Sequence, residues 1–248
     1  NLCTSKVVMG TTDDPKKWTG SFAEFVIAPE DKTFLIPPHL SFSHGTLIEP
    51  LAVGIHSLYR ARMTAGKSLL IFGAGTIGLA TLINARALGI TDIMITDVKD
   101  FNLQTAKDLG ATYTVNIAAE NLESAVTQAF GEEGVDAAIL AVGKASIFKD
   151  ALTLTKRDGA IVIVGLVHEE ITFNLHDIGA TGKEKIVTGS TVYTGEDFEK
   201  VLKLLEDEEM KKDLDTLITH EMTIDQVQEA HELIVNGKED VIKIVLEY

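Results

Sequence analysis

The sequence predicts an α/β fold built on a doubly wound, parallel sheet of six strands. From about Pro50 to Thr191, short apolar strands alternate with amphipathic helices, and this alternation is typical of a parallel sheet. A glycine-rich turn follows the first of these strands, and an acidic residue ends the second. The predicted strands are 68–73, 92–97, 112–116, 136–142, 160–165 and 185–190. The helices expected between them lie near 76–89, 101–109, 120–130 and 145–155.

The helices of this region have recognisable boundaries. A helix is expected from about Pro50, because three apolar residues recur at helical spacing: Leu51, Ile55 and Leu58. Three glycines follow predicted helices, at positions where a left-handed C-cap favours glycine: Gly89, Gly110 and Gly159.

Residues 1–49 predict a different architecture. They contain glycine, proline and short β-type pieces, of which 20–27 is the clearest. Within that piece Phe22, Phe25 and Ile27 can cover one apolar face. We therefore expect loops and antiparallel strands before the alternating region.

After Thr191 the alternation stops. Four apolar residues form one helical stripe within 197–205: Phe198, Val201, Leu202 and Leu205. The charged run 206–215 is interpreted as a solvated helix end and turn. A second helix near 223–236 and a closing strand at 241–246 are expected to complete the chain.

Composition excludes several classes of partner. The chain has 248 residues, 45% of them hydrophobic, which is enough for a substantial core. Its 22 basic and 37 acidic side chains give a net charge of −15, which repels nucleic-acid phosphates and anionic lipids alike. Its apolar runs are far shorter than the roughly 20 residues that cross a bilayer. A single cysteine, Cys3, excludes an internal disulfide, and we expect a cytoplasmic protein that binds neither nucleic acid nor membranes.

The segment Lys67-Ser-Leu-Leu-Ile-Phe-Gly-Ala-Gly-Thr-Ile-Gly78 places an apolar strand, a glycine turn and a helix in that order. Gly73 permits the tight turn, Gly75 lets the backbone approach a pyrophosphate, and Gly78 lets the helix pack on the strand. Unpaired N–H groups at the start of the helix attract phosphates. This pattern predicts a dinucleotide site on a Rossmann fold.

Asp97 ends the second predicted strand, about 20 residues after the glycine turn, where a carboxylate can accept hydrogen bonds from the adenosine ribose. A phosphate at that ribose would be repelled. The sequence therefore favours NAD(H) over NADP(H), although Lys99 lies two residues on and partly offsets the repulsion.

Four segments, in this order along the chain, carry a resemblance to a known family: Gly20-Ser-Phe-Ala-Glu-Phe25, Leu47-Ile-Glu-Pro-Leu-Ala-Val-Gly54, Gly73-Ala-Gly-Thr-Ile-Gly78 and Ile163-Val-Gly-Leu166. Over nearly its whole length the chain resembles the medium-chain, zinc-type alcohol dehydrogenases, especially their sorbitol (polyol) dehydrogenase branch. The most specific piece is 48–56. The resemblance implies a six-stranded Rossmann sheet flanked by the remnant of a β-rich catalytic domain. The implied domains are a catalytic remnant at 1–49, an NAD-binding domain at 50–190, and a segment at 191–248 that returns to the catalytic domain.

The resemblance also assigns the cofactor residues. Gly75, Thr76, Ile77 and Gly78 become the pyrophosphate turn, and Asp97 the ribose acceptor. The residues implied beside the nicotinamide half follow the fourth and fifth strands: Val142, Gly143, Val164, Gly165 and Leu166. Ligands of a doubly wound sheet bind at this carboxyl edge in any case.

Two further residues are implied on the substrate side. Glu49 resembles the acidic residue that lies at the catalytic zinc of the polyol branch, bound to the metal directly or through water; alternatively it is an ordinary helix-capping glutamate. Tyr193 resembles a substrate-side tyrosine, although Val192 stands where an arginine usually precedes it; alternatively it is a packing residue. The loss of that arginine weakens a sorbitol-specific interpretation.

The zinc ligands that the resemblance implies are incomplete. The family's cysteine and histidine ligands lie upstream of the segment where this chain starts, and Glu49 alone cannot hold a metal that needs three protein ligands. Cys3 resembles the last cysteine of a structural-zinc loop and is interpreted as free. No histidines show the spacing of a helical HExxH site, and His39 and His44 are expected to face solvent.

We therefore expect the greater part of an NAD-dependent, zinc-assisted dehydrogenase that lacks the N-terminal part of its catalytic domain. The chain is expected to bind NAD(H) but to turn over alcohols poorly, whereas its full-length parent oxidises a secondary alcohol or polyol to a ketone. Polyol, threonine-like and butanediol-like substrates remain open. Association as a homodimer or homotetramer is expected through the edge strand around 185–190.

Two alternatives remain. The first is a non-catalytic NAD-binding or oligomerisation module, which explains the absent metal ligands without truncation. The second is a zinc-free quinone reductase of the same superfamily, which would prefer NADPH and is disfavoured by Asp97.

Overall fold

The computed structural model describes residues 1–2, 4, 8–10, 20–179, 183–237 and 239–248. Six strands form its main sheet: β1 (Ser68–Phe72), β2 (Asp92–Asp97), β3 (Tyr113–Asn116), β4 (Val135–Leu140), β5 (Thr155–Ile163) and β6 (Ile186–Gly189). Their order is β3-β2-β1-β4-β5-β6, and every neighbouring pair is parallel. The predicted six-stranded, doubly wound α/β fold is confirmed.

The helices are α1 (Phe42–Gly45), α2 (Ile48–Arg60), α3 (Thr76–Ala87), α4 (Asp100–Asp108), α5 (Leu122–Phe130), α6 (Ile147–Leu154), α7 (Gly195–Leu204), α8 (Glu208–Leu217) and α9 (Val227–Asn236). In the described part of the chain, none of them is long and apolar enough to span a membrane.

Two hydrophobic cores lie on opposite faces of the sheet. Successive side chains of a strand point to opposite faces, so Leu69 and Ile71 enter the core beneath α2, α3, α7 and α8, whereas Leu70 and Phe72 enter the core beneath α5 and α6. Every residue of β1 is buried. A strand covered on both faces is apolar throughout, which explains why the central strands could be predicted from the sequence as short, continuous apolar runs.

The order of the strands determines where a ligand can bind. The chain moves outward from β1 through β2 to β3 and then returns to place β4 on the other side of β1. The crossovers on the two sides of β1 therefore leave in opposite directions and open a crevice at the carboxyl ends of β1 and β4.

Two strands near the C-terminal end of the chain form a second, smaller sheet. Strand β7 (Ile218–Thr223) pairs in parallel with β8 (Lys243–Glu247), and α9 connects them. The expected closing strand is confirmed, but its partner β7 was not predicted. A parallel partner is separated from β8 by a whole helix, so local sequence patterns do not reveal the pairing.

Three sequence expectations are wrong. The β-type piece 20–27 lies outside any strand, with Phe22, Phe25 and Ile27 exposed, and no strand of the described residues pairs with it. The charged run forms helix α8, because Asp207 caps its N-terminus and three apolar residues are buried along one face: Met210, Leu214 and Leu217. His44, expected in solvent, is buried and pairs with Asp215 at 2.7 Å.

Of the three glycines expected to cap helices, two are confirmed and one is not. Gly89 and Gly110 have φ angles of +76° and +87° and are confirmed as left-handed residues after α3 and α4. Gly159 instead lies within β5, which begins at Thr155, earlier than predicted. The expectation for Cys3 falls outside the described residues.

Candidate cofactor-binding crevice

The turn between β1 and α3 is tightly packed at two of its three glycines. Gly73 has a φ of +99°, and a Cβ atom there would overlap Cγ2 of Val142. A Cβ atom on Gly78 would overlap the carbonyl oxygen of Gly73. The protein's own packing therefore requires glycine at both positions.

Gly75 differs from the other two glycines. It has an ordinary φ of −80°, and apart from its two chain neighbours no described residue has an atom within 4 Å of a Cβ built on it. Packing among the described residues therefore does not require a glycine here. The open space in front of Gly75 is a place where a side chain would crowd a ligand.

The N-terminus of α3 faces this space without a cap. Its N-cap residue, Gly75, has no side chain, and within the described ranges the amides of Gly75, Thr76, Ile77 and Gly78 have no acceptor. Unpaired amides and the helix dipole together form an anion-binding site. The crevice therefore fits the pyrophosphate of a dinucleotide.

Asp97 stands beside this turn at the end of β2. Its Oδ2 atom accepts a hydrogen bond from the Ala74 amide at 2.8 Å, and its Oδ1 atom accepts from the Val98 and Lys99 amides at 2.8 and 3.0 Å. These backbone donors fix the carboxylate at the rim of the crevice. Its geometry fits a group that accepts hydrogen bonds from a ribose bound next to the pyrophosphate.

Asn102 is a second polar residue at this rim and was not among the predicted site residues. Its Nδ2 atom lies 3.4 Å from Oδ2 of Asp97, while its Oδ1 atom is buried and has no partner among the described residues. Buried polar atoms normally have hydrogen-bond partners. Its position in the first turn of α4, directly after the acidic strand end, is the signal that could have identified it.

The loops after β4 and β5 meet on the other side of the turn. A Cβ atom on Gly143 would overlap the carbonyl oxygen of Leu166, and one on Gly165 would press against the backbone of Val142. The amides of Val164 and Gly165 both donate to the carbonyl of Leu140, at 3.0 and 2.9 Å. The structure therefore brings all five residues expected at the nicotinamide half to one edge of the sheet.

The C-terminal segment also reaches the turn. Oγ1 of Thr76 donates to the carbonyl of Ile242 at 2.6 Å, so this hydroxyl is used to dock the segment that enters β8. The next residue, Lys243, lies close enough to Glu49 for its charge to oppose the rise that desolvation causes in the pKa of that carboxyl. Lys243 was not among the predicted site residues, because its distance in sequence from the glycine turn hides the proximity.

Glu49 and Tyr193 lie close enough for the charge of the carboxylate to act on the phenol. Glu49 is in the first turn of α2, where the N-cap residue makes no side-chain capping bond, and Tyr193 packs on the ring of Phe198 with a centroid distance of 5.8 Å. Desolvation raises the pKa of Glu49, although Lys243 opposes this; desolvation and the charge of Glu49 together raise the pKa of Tyr193. The phenol is therefore protonated at neutral pH and can donate a hydrogen bond.

The described histidine, cysteine, aspartate and glutamate side chains do not form a zinc site. In residues 1–2, 4, 8–10, 20–179, 183–237 and 239–248, no group of three or more histidine, cysteine, aspartate or glutamate side chains could hold a metal ion. Glu49 therefore belongs to no cluster of metal-binding side chains among the described residues. The described residues do not fit a bound zinc ion.

Comparison with known proteins gives concordant results. The family described as zinc-binding dehydrogenase matches residues 76–207. The uncharacterized zinc-type alcohol dehydrogenase-like protein YdjJ of Escherichia coli (strain K12) is 32% identical over 247 residues, which are 99% of this chain and 68% of that protein. Sorbitol dehydrogenase of Bacillus subtilis (strain 168) is 30% identical over 92% of this chain and 63% of its own length.

A solved structure shows the same similarity in three dimensions. An oxidoreductase/dehydrogenase of unknown specificity from Escherichia coli superposes with a TM-score of 0.91 and 31% identity, covering 99% of this chain and 68% of that one. The chain thus spans about two thirds of the length of the proteins it matches.

Proposed function

This chain belongs to the zinc-binding dehydrogenase family, and we propose that it is the nucleotide-binding part of an NAD-dependent enzyme that oxidises a secondary alcohol or polyol to a ketone. The observation that carries the proposal is the uncapped N-terminus of α3 behind the open space at Gly75, with Asp97 fixed at its rim. When bound, the nicotinamide ring supplies the acceptor for the hydride of the alcohol.

Asp97 supports NAD(H) over NADP(H). Both of its oxygens are oriented by backbone amides, so the carboxylate cannot easily turn away from an approaching ligand. A ribose hydroxyl can donate to it, whereas a ribose phosphate would meet a fixed negative charge.

Other residues of the chain support the remaining parts of the coenzyme. Lys243 follows Ile242, whose carbonyl accepts from the Thr76 hydroxyl, and its charge acts on Glu49; we propose that this lysine can also pair with a phosphate of the coenzyme. Val142 and Val164 offer apolar walls that exclude water from the nicotinamide side, because both lie at the carboxyl ends of adjacent strands.

On the substrate side, the protonated phenol of Tyr193 can donate to a hydroxyl of the alcohol while Glu49 accepts from one. Val192 removes the charged donor expected for a sorbitol-specific site, so a smaller or less hydroxylated alcohol suits the site better. Because the described residues do not fit zinc, no step assigned to them passes through a metal.

We also propose that 1–49 and 191–248 belong to the substrate-side domain and 50–190 to the NAD-binding domain. Contacts between the two outer segments support this division. Nε2 of His44 lies 2.7 Å from Asp215, and the Ser43 hydroxyl donates to Glu247 at 3.1 Å.

The open edge of β6 supports a further proposal, association of two copies through this strand. Only its β5 side is paired among the described residues, and an unpaired edge readily recruits a second strand. The Arg60 side chain donates to the carbonyl of Gly189 at 3.1 Å and so covers one end of that edge. The remainder is available for extension of the sheet.

The functional proposal is tested by offering NAD⁺ or NADP⁺ with sorbitol, 2,3-butanediol, threonine and 2-propanol and following absorbance of the reduced coenzyme. We expect the 248-residue chain to bind NADH with little turnover, and the whole protein to produce NADH from at least one of these alcohols. Robust zinc-dependent NADH production by the 248 residues alone would contradict the expectation that this chain does not supply the zinc ligands. Turnover of quinones with a preference for NADPH would instead favour a zinc-free quinone reductase. Coenzyme binding by the whole protein without any turnover would favour a non-catalytic NAD-binding or oligomerisation module.

A further inference from the structure

A buried histidine–aspartate pair lies next to the proposed substrate side and has no role in the function described so far. Nδ1 of His56 on α2 lies 2.8 Å from Oδ2 of Asp197 on α7, and the two side chains are 12% and 5% exposed. His56 is seven residues after Glu49 on the same helix, so both side chains project from one face of α2.

Asp197 connects this pair to the residue that follows Tyr193. Its Oδ2 atom accepts hydrogen bonds from the amide of Thr194 at 2.9 Å and from its hydroxyl at 2.7 Å. The amide of Asp197 donates back to the Thr194 hydroxyl at 3.2 Å, which completes the capping box of α7. The backbone on the C-terminal side of Tyr193 is thereby fixed.

His56 also reaches the backbone on the other side. Nδ2 of Asn1 lies 3.0 Å from Nε2 of His56 and 3.1 Å from the carbonyl of Thr191. If the His56 proton is on Nδ1, where the carboxylate accepts it, Nε2 can accept from the Asn1 amide, and both ring nitrogens are satisfied. Through these contacts His56 holds both ends of the turn Thr191-Val192-Tyr193-Thr194.

That turn needs to be held. Val192 has a φ of +54° and is the one β-branched residue among the non-glycine residues of the described chain with positive φ. Such a conformation is strained for a β-branched residue and persists only where the surroundings impose it. Val192 directly precedes Tyr193, so the contacts that impose this conformation also fix the direction in which the Tyr193 side chain leaves the backbone.

We propose that His56 and Asp197 are positioning residues that hold the strained turn at Val192 and thereby keep the phenol of Tyr193 beside Glu49. The consequence for substrate recognition rests on the proposed function, but the position of Tyr193 does not. It can therefore be measured in the absence of coenzyme and substrate.

The test uses ¹⁹F NMR of the chain labelled with 3-fluorotyrosine. The chain has four tyrosines, so the Tyr193 resonance is assigned by its disappearance in Tyr193→Phe. In the otherwise unchanged chain, Glu49→Gln should move this resonance. In the His56→Leu and Asp197→Asn backgrounds, the same Glu49→Gln change should move it at least about twofold less, because the two side chains are no longer held together.

Two further variants separate positioning from general stability. His56→Asn keeps an amide donor near the place of Nδ1 and should restore the coupling. His44→Leu breaks another histidine–aspartate pair, His44 with Asp215, and should lower the melting temperature while the coupling between Glu49 and Tyr193 stays intact.

An unchanged coupling in folded His56→Leu or Asp197→Asn would overturn the proposal, and so would its loss in His44→Leu. If His56→Leu does not fold, Asp197→Asn and the rescue by His56→Asn decide. Absence of NADH binding, with the coupling behaving as expected, would reject the proposed function and leave the positioning role standing.

Discussion

The carboxylate of Asp97 and the backbone amide of Ala74 are joined by a 2.8 Å hydrogen bond. The bond ties the acidic end of β2 to the residue between the first two glycines of the turn. The places proposed for ribose and pyrophosphate are therefore held in a fixed relation before any ligand binds, which reduces the ordering cost of binding.

The first prediction concerns the choice of coenzyme. Asp97→Arg should shift the ratio of the Kd values for NADH and NADPH toward NADPH, because it replaces the carboxylate by a phosphate-binding group. Fluorescence titration with both coenzymes measures this ratio. Asp92→Arg, at the exposed opposite end of β2, is the matched control and should leave the ratio unchanged. An unchanged ratio in Asp97→Arg would show that Asp97 does not face the ribose.

The second prediction concerns stability. Gly78→Ala should lower the free energy of unfolding by about 1–3 kcal/mol or more, because its methyl group would overlap the Gly73 carbonyl oxygen. Gly195→Ala, at the first position of α7 with open space around it, should be neutral or slightly stabilising. Urea unfolding of both variants makes the comparison, and equal stabilities would contradict the tight packing of α3 on the turn.

The third prediction concerns acid stability. Burial disfavours the charged form of Asp197, but hydrogen bonds from Thr194 and the neighbouring His56 outweigh it and lower the pKa of Asp197. A depressed folded-state pKa contributes stability that is present above the unfolded value, about 3.9, and lost as the pH falls through the folded value. Asp197→Asn should therefore flatten the fall of the melting temperature below about pH 4. If the melting temperatures of the unchanged chain and of Asp197→Asn fall equally steeply with decreasing pH, this linkage is contradicted.

The fourth prediction concerns the strained turn. Val192→Gly should raise the melting temperature, because relief of about 1–3 kcal/mol of strain exceeds the roughly 0.5–1 kcal/mol entropic cost of glycine. Val26→Gly, at an exposed position without positive φ, should not raise it. Differential scanning calorimetry compares the two, and destabilisation by Val192→Gly would contradict the strain at this position.

The fifth prediction concerns assembly. Light scattering should give a mass of two or four copies, because the edge of β6 can extend the sheet across a two-fold axis. A proline in place of Val187, in the middle of this edge strand, should reduce the mass to that of one copy. A strict monomer in the unchanged chain would remove the proposal.

The sequence allowed the sheet and the glycine turn to be predicted for a physical reason. Buried parallel strands are apolar on both faces, and the turn is encoded by glycines close together in the chain. The apolar residues of α8 were hidden instead by the many charges around them, although Met210, Leu214 and Leu217 have helical spacing.

Contacts between distant residues could not be predicted. His56 and Asp197 are 141 residues apart, and Thr76 and Ile242 are 166 apart. Local periodicity carries no information about such pairs. Segment 20–27 shows that a local pattern can also predict too much. Its β-type residues do not form a strand, because no strand of the described residues pairs with them.

Calorimetric titration of NADH into the Gly75→Val variant tests the central claim most directly. Apart from its two chain neighbours, the added side chain meets no described protein atom within 4 Å at its Cβ position but fills the space in front of the α3 amides. We predict one coenzyme bound per unchanged chain, the same binding to Gly195→Ala, and loss of binding in a Gly75→Val chain with an unchanged melting temperature. Equal affinity for NADH in the unchanged chain and Gly75→Val, or no heat of binding in any of the three, would contradict the account.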